Sequence, residues 1–236
     1  MLIGSGLLAQ AFANPFSQRD DVCIYAAGVS NSGCIDAQEF EREQRLLFES
    51  LAKAKQTGVF VYFGTCSAAD PEARNMPYVQ HKLAMEQLVA AHPRHLILRL
   101  PQVAGRTPNP HTLLNFLYAR ISRGEVFNLW RKAKRNIIDI DDVAAIAGQF
   151  ITDESVRNVT INIANPISYS MIDIVGAMER AVGKRAIYYL VERGSEYTID
   201  TSVILPVLAS AGVEFGSDYL DKVMKKYYGK SGWFAP

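Results

Sequence analysis

The sequence predicts an α/β fold built on a doubly wound parallel sheet. Three observations carry this expectation. Short apolar runs rich in β-branched and aromatic residues, such as Val59-Phe60-Val61-Tyr62-Phe63 and His95-Leu96-Ile97-Leu98, read as strands buried on both faces. Between them lie amphipathic stretches with helix-capping residues. Strands and helices alternate along the chain, the pattern of parallel strands joined by crossover helices.

Each element follows in turn. Met1-Leu2-Ile3 is a very short apolar start, followed by Gly4-Ser5-Gly6-Leu7-Leu8-Ala9 and helix-compatible Gln10–Ala13. Asn14–Asp21 reads as a loop and Val22–Ala27 as a buried strand stopped by Gly28. Asp36 can cap a helix running to about Lys55, with apolar positions at Phe40, Leu46, Leu47, Phe48 and Leu51. Pro77 opens a helix to about Ala91, and His95–Leu100 is a strand. Pro108–Arg123 reads as loop and helix. Asp141 is the expected cap of the helix that follows. Val159–Ala164 is a strand, Ser170–Val182 a helix with Gly183 just past its end, and Ala186–Val191 a strand. Weaker helices are expected over Thr201–Ala211 and Ser217–Tyr227.

A length of 236 residues fits a single domain, 1–236, with ample core. After Leu100 proline and loop residues become frequent, and 101–135 with 165–236 is the natural place for a substrate-binding region. A formal net charge of +1 gives no field directed at nucleic acid or an anionic membrane, although Arg131-Lys132-Ala133-Lys134-Arg135 is locally basic. The three cysteines, Cys23, Cys34 and Cys66, form no disulfide framework, and neither they nor the four histidines show metal-ligand spacing. No apolar run reaches the ~18 residues of a membrane helix, and the start lacks a basic segment followed by an apolar one. A cytoplasmic protein is expected.

The most informative stretch is Tyr78-Val79-Gln80-His81-Lys82. With 11 tyrosines in the chain, about half a Tyr-x-x-x-Lys pair is expected by chance, so its meaning lies in its context. On a helix the two side chains share one face, about 5–6 Å apart at Cβ, where an ammonium can lower a phenol's pKa and make it a proton donor and acceptor. Thr65, at the end of the apolar run, supplies a hydroxyl, with Cys66 and Ser67 beside it. Such a set suits proton transfer at an alcohol or ketone beside a nicotinamide. Gly4-x-Gly6-x-x-Ala9 fits a strand–turn–helix that brings backbone N–H groups to a pyrophosphate. Ala26-Ala27-Gly28 leaves room for a ribose or pyrophosphate against the sheet, and reads equally as a close-packed turn. His81 falls on a different helix face from Tyr78 and Lys82 and is given no catalytic role.

Together these residues resemble the extended short-chain dehydrogenase/reductase superfamily, in particular the NAD-dependent sugar epimerase/dehydratase family. The motifs stand in the family's order: Gly4–Ala9, Ala26-Ala27-Gly28, the hydroxyls after Val59–Phe63, Tyr78-x-x-x-Lys82 with Met85-Glu86, Leu98-Arg99 leading to Gly105, and Arg135–Val143. The resemblance implies a Rossmann-like fold with a small C-terminal substrate-binding region. It assigns Thr65, Tyr78 and Lys82 to catalysis. It assigns Gly4, Gly6, Leu7, Ala26, Ala27, Gly28, Pro101 and Val103, with Tyr78 and Lys82, to NAD or NADP. It assigns Ser67, Gln102, Arg106 and Arg135 to a nucleotide-sugar substrate, Arg135 meeting its pyrophosphate. It also implies a homodimer joined through helices 36–55 and 77–91, and a narrower likeness to short members associated with bacterial surface-polysaccharide pathways.

The chain departs from the family in its cofactor half. Only Gln10–Asp21 separate the glycine turn from the Ala-Ala-Gly strand, where the family places two further strands. The adenosine-binding half is therefore expected to be truncated, with no clear acidic residue for the adenine ribose. Asp20 and Asp21 fall near that distance, and Arg19 could equally meet a 2′-phosphate, so NAD versus NADP stays open. A direct link from the first strand to the next must also obey the right-handed crossover rule or evade it. The family's Asn near the start of the long helix is replaced by Glu41-Arg42-Glu43, to which no role is given. The expected activity is an NAD(P)-dependent epimerase, dehydratase or reductase of a nucleotide-linked sugar. The rivals are a non-catalytic member that holds cofactor poorly, and a reductase of a small ketone.

Overall fold

The computed structural model describes residues 1–16, 18–54 and 58–229. Ser17 of the expected loop and Lys55, the expected helix end, lie outside the described residues. In order, the elements are β1 (Leu2–Ile3), α1 (Leu7–Phe16), β2 (Val22–Tyr25), α2 (Ala37–Lys53), β3 (Val59–Thr65), a 3-10 turn (Cys66–Ala69), α3 (Pro77–Ala90) and β4 (His95–Leu100). Then come β5 (Gln102–Ala104), α4 (Leu113–Arg123), β6 (Phe127–Trp130), β7 (Lys134–Asp139), α5 (Ile140–Thr152) and β8 (Val159–Asn162). The remainder comprises β9 (Ser168–Ser170), α6 (Met171–Val182), β10 (Tyr188–Val191), a 3-10 turn (Leu205–Val207), α7 (Leu208–Ala211) and α8 (Tyr219–Tyr228).

The main sheet has five parallel strands in the order β1-β2-β3-β4-β8. Alternate residues of its strands feed two cores, as the two-residue period of a strand requires. Val22, Ile24, Val59, Val61, Phe63, Leu96 and Leu98 face Phe12 and Phe16 of α1 and Val143, Ile146 and Phe150 of α5. Cys23, Tyr25, Phe60, Tyr62 and Ile97 face Leu47 of α2 and Met85 and Val89 of α3. The Rossmann-like, doubly wound expectation therefore holds.

This division of faces answers the crossover question. From β1 to β4 the chain always steps the same way across the sheet, yet α1 lies on one face while α2 and α3 lie on the other. The β1–α1–β2 crossover thus has the opposite hand to the two that follow it. Since parallel crossovers are right-handed in about 98% of cases, the first connection is the exceptional one. It leaves β1 at the edge of the sheet, paired only with β2 among the described residues.

Several local expectations change. α1 runs on to Phe16 through Pro15, where a loop from Asn14 is expected; burial of Phe16 rewards the extra turn. The cap of α5 is Asp139, whose Oδ1 accepts from the Asp141 N–H at 3.0 Å, not Asp141. Asp141 instead binds Lys226 at 2.8 Å. Phe48 is 68% exposed, because α2 buries Glu43, Leu47 and Ser50, a stripe on another side of the helix. The second half holds two small sheets, β5-β7-β9 and β10-β6. Of their strands, β5, β6, β7 and β9 are not anticipated; β7 opens on polar Lys134-Arg135-Asn136 and so hides its apolar end. Asp139 also accepts from Tyr227 and Lys226, both at 2.6 Å, which docks α8 beside the start of α5.

Phe12 is fully buried against Phe16 and Phe63, with ring centroids 6.1 and 5.3 Å away. With Phe16 it ties α1 to the sheet. Phe12→Ala is expected to lower unfolding free energy by about 3–5 kcal/mol in urea titration; a loss below about 1 kcal/mol would show that α1 is not docked this way.

Candidate functional site

The carboxyl ends of the parallel strands open into one cleft of about 960 Å³, the position where open α/β sheets place ligands. It is lined by Thr65, Tyr78 and Lys82, by the glycine-turn residues Gly4, Gly6 and Leu7, and by Ala26, Ala27 and Gly28. Pro101, Val103, Ser67, Gln102, Arg106 and Arg135 line the same cleft. Every residue that the resemblance assigns to catalysis, cofactor or substrate thus lines one cleft, including the distant Gln102 and Arg135, which lie on β5 and β7 of the second sheet.

The glycine turn is built for close approach. Gly4 has φ +123°, and a Cβ there would stand 2.4 Å from the Ala26 carbonyl oxygen, so β1 and the Ala26-Ala27 strand end need its lack of a side chain. A Cβ at Gly6 would meet nothing within 4 Å. Open space therefore faces the N-terminus of α1, where unpaired N–H groups favour an anion. These residues fit the pyrophosphate of a dinucleotide. The adenosine end is different. Asp20, Asp21 and Arg19 line a separate hollow with Met1 and Lys53 at the other end of the strands, and Arg19 is bound to Asp21 at 2.6 Å. They are corrected out of the site. Within the main cleft the acidic lining residue is Glu39, bound to Arg42 at 2.8 Å.

At the cleft floor sits a buried charge cluster that the sequence did not reveal. Glu43 of α2 is fully buried. Its Oε1 accepts from Lys82 Nζ at 3.1 Å and from the Tyr62 hydroxyl at 2.9 Å. Its Oε2 accepts from the Val29 N–H at 2.6 Å and lies 3.1 Å from His81 Nε2. Lys82 also donates to the Tyr62 oxygen at 3.0 Å. Burial opposes the Glu43 charge, but the His81 hydrogen bond, the Lys82 charge, the Val29 N–H and Tyr62 outweigh it and hold the carboxyl down at about 2. Gly28 leaves room for this cluster, since a Cβ would stand 2.6 Å from Lys82 Nζ and 2.8 Å from Glu43 Oε1 and would displace them. His81, stacked on Phe40 with centroids 4.5 Å apart, is part of this cluster.

The expectation that Lys82 acidifies Tyr78 is corrected by this arrangement. Burial and the Glu43 charge push the Tyr78 phenol above its usual value, and only a hydrogen bond with Thr65 pulls the other way. An ammonium has three donors; two are engaged by Glu43 and Tyr62, leaving one for the cleft that Lys82 lines. Above this floor, Tyr197 enters the cleft from the C-terminal segment and shares a hydrogen bond with Ser67. Ser195 binds Asp70 at 2.8 Å, fixing that segment over the 3-10 turn. Beneath β3, Glu86 pairs with Arg99 at 2.6 Å, and a Cβ on Gly64 would overlap Glu86.

Glu43, Tyr62, His81 and Tyr197 are the residues that sequence reasoning missed. A signal existed for two of them. Tyr62 stands mid-strand in an apolar run, where a buried hydroxyl must find a partner. Glu43 precedes Leu47 by one helical turn and so falls on the buried stripe. Tyr197 carried no such mark.

Among the described residues no group of three histidine, cysteine or acidic side chains could hold a metal, and no helix is long and apolar enough to cross a membrane. Burial pushes the Cys23 thiol up to about 11 and the Cys66 thiol to about 12, while Cys34 is half-exposed at the cleft. At pH 8 a disulfide reagent should therefore label one thiol of the native chain quickly, lost in Cys34→Ser, with the other two reacting only on denaturation.

Comparisons with known proteins agree with this geometry. A search of curated proteins finds no match. Similar solved structures include WbmH of Bordetella bronchiseptica in complex with NAD+ (14% identity, 98% of this chain and 82% of that one, TM-score 0.69). RMD from Pseudomonas aeruginosa complexed with NADPH is 14% identical over 94% and 85% of the two chains, with TM-score 0.66. UDP-glucuronic acid 4-epimerase from Bacillus cereus in complex with NAD is 16% identical over 98% and 89%, also with TM-score 0.66. These likenesses establish the fold. A family model, described as the NAD dependent epimerase/dehydratase family, matches residues 12–164, from within α1 to just past β8. The chain belongs to the NAD-dependent epimerase/dehydratase family.

Proposed function

We propose that the protein is an NAD(P)-dependent epimerase, dehydratase or reductase acting on a nucleotide-linked sugar. The observation that carries this reading is the single cleft that joins the glycine turn, the Thr65–Tyr78–Lys82 group and Gln102, Arg106 and Arg135. Gly4, Gly6 and Leu7, at the start of α1, would hold the cofactor pyrophosphate, and Lys82 would hold the nicotinamide ribose with its remaining N–H. Ala26, Ala27, Gly28, Pro101 and Val103 would complete that wall. The nicotinamide supplies the hydride chemistry. Tyr78 exchanges a proton with the sugar oxygen, Thr65 holds the same oxygen, and Ser67 and Gln102 orient the sugar. Arg106 and Arg135 meet the substrate diphosphate, a bidentate use of guanidinium. The substrate part is contributed by 101–135 and by 165–236, from which Tyr197 reaches the cleft. The exposed Phe48 supports a homodimer through α2 and α3. A role in surface-polysaccharide synthesis in the cytoplasm fits nucleotide-sugar chemistry. The presence of Gln102 and Arg135 in the Tyr78 cleft disfavours a small-ketone reductase.

A second reading, a member that keeps the fold but holds cofactor poorly, is favoured by the edge position of β1 and by the engagement of Glu39 with Arg42. Calorimetric titration with NAD(H) and NADP(H) separates the two: micromolar binding supports the enzyme, and silence at millimolar cofactor supports the second reading. In a screen of nucleotide sugars followed at the reduced-nicotinamide band, Tyr78→Phe should cut turnover by roughly 10²–10⁴-fold with cofactor binding kept. Full turnover in that variant would remove Tyr78 from the mechanism.

A further inference from the structure

We infer that the cleft recognises one half of its cofactor, the nicotinamide mononucleotide, and leaves the adenosine half outside the protein. Which half is held rests on the proposed function, with Thr65, Tyr78 and Lys82 beside the nicotinamide. What the site ignores follows from strand order. An open α/β sheet binds a dinucleotide across the crevice where the order of its strands reverses, with one mononucleotide-binding half on each side. Here the order is β1-β2-β3-β4-β8, and the glycine turn follows β1 at the end of that row. No reversal occurs beside the turn, so the sheet offers one half instead of two. The shortening is internal to the chain, because only α1 and a short loop separate β1 from β2.

The two flanks of the turn differ accordingly. On one, Ile3 pairs with Tyr25 and a Cβ on Gly4 would overlap the Ala26 carbonyl. Thr65, Tyr78 and Lys82 follow on this flank and line the same cleft. On the other, Ser5, Gly6 and Gln10 are exposed. The Gln10 side chain donates to the Ser5 carbonyl oxygen at 3.1 Å. Among the described residues no strand continues the sheet past β1. Two further strands would have added about 10 Å of platform there.

A dinucleotide that turned back over α2 would meet polar groups already bound to one another. Glu39 holds Arg42 at 2.8 Å, the Asn109 amide donates to the Ser30 hydroxyl at 3.1 Å, and Asn31 Oδ1 accepts from the Gly33 N–H at 3.0 Å. An acidic side chain alone would favour a ribose 2′-OH, and a guanidinium alone a 2′-phosphate. Paired, Glu39 and Arg42 select neither. Arg19, Asp20 and Asp21 line the hollow at the opposite end of the strands. NADH, NADPH and the reduced mononucleotide therefore present this cleft with the same recognised part.

The test is calorimetric titration of the full chain with NADH, NADPH and reduced nicotinamide mononucleotide. It is run at ~0.15 M salt, where exposed charges more than about 8 Å apart are screened. NADH and NADPH should bind within about fivefold of each other, the most that an exposed charge contact contributes. The mononucleotide should bind within about tenfold of NADH, the scale of the one phosphate it lacks at a helix N-terminus. A wider gap overturns the proposal, because a held adenosine ribose adds charge-assisted hydrogen bonds worth roughly 10–150-fold. A wider preference between NADH and NADPH overturns it as well. Glu39→Ala, at a half-exposed side chain, releases Arg42 and should leave the NADH-to-NADPH ratio in place. A swing toward NADPH beyond about fivefold would show that the head of α2 reaches the adenosine ribose, against the proposal. Silence from all three ligands also overturns it and supports the member that holds cofactor poorly. Tight NADH without the mononucleotide sinks this proposal and leaves the proposed function standing. Full turnover in Tyr78→Phe does the reverse, since the binding ratios need no turnover.

Discussion

One carboxylate with no access to solvent ties together the working end of this molecule. Glu43 belongs to α2, receives the N–H of Val29 after β2, and bonds to Tyr62 on β3 and to His81 and Lys82 on α3. Four elements on one face of the sheet thus meet at a single charge. Charge pairs of this kind stabilise little against an apolar substitute, but removing one partner strands the other at a cost of about 3–5 kcal/mol. The interaction therefore specifies more than it stabilises. It determines where Lys82 points, how closely the Gly28 turn packs, and how much of a cation the cleft contains. The same face holds a second buried pair, Glu86 with Arg99, and Gly64 is the residue that lets it pass beneath β3.

Much of this was legible in the sequence, for identifiable reasons. β3 and β4 are continuous apolar runs because both of their faces are covered. The cap of α2, Asp36, and the glycine that ends α6, Gly183, could be read directly from their residue types. The residues chosen for the site gathered in one cleft because a parallel sheet delivers successive strand ends to the same edge. What stayed hidden depended on contacts between distant segments. β7 and β9 are short strands that exist through their pairing, Arg135 against Tyr169. Tyr197 reaches the cleft on a segment anchored by Ser195 on Asp70, 125 residues away in sequence, and by Lys134. Glu43 looked like one more charge on a helix with many. Its spacing from Leu47 marks the buried stripe, but the partners that make a buried charge tolerable there come from β3 and α3, distant in sequence. Tyr78 and Lys82 both line the cleft, but a helical spacing says nothing about a third group such as Glu43, which binds Lys82.

The chain also shows how an α/β sheet can accommodate an unusual connection. Crossovers are right-handed because a right-twisted strand feeds a helix back onto the sheet that way. Here α1 returns on the opposite face, and its compensation is apolar: Phe12 and Phe16 join the core that α5 already fills. Close packing of Leu7 beneath Gly105, where a Cβ would stand 2.6 Å from a Leu7 methyl, holds the head of the same helix.

The edge position of β1 has a thermodynamic corollary for ligand binding. A two-residue strand with one neighbour contributes few backbone hydrogen bonds, so the glycine turn is held in place chiefly by α1 packing. Units of that kind open locally at a fraction of the global unfolding free energy. A dinucleotide seated on the turn would require the strand and helix to be docked, so its apparent affinity is the intrinsic affinity reduced by the docked fraction. By the same linkage, occupancy would raise amide protection across β1 and α1 more than elsewhere in the sheet. Cofactor and sheet edge then act as a single cooperative unit, each completing the other.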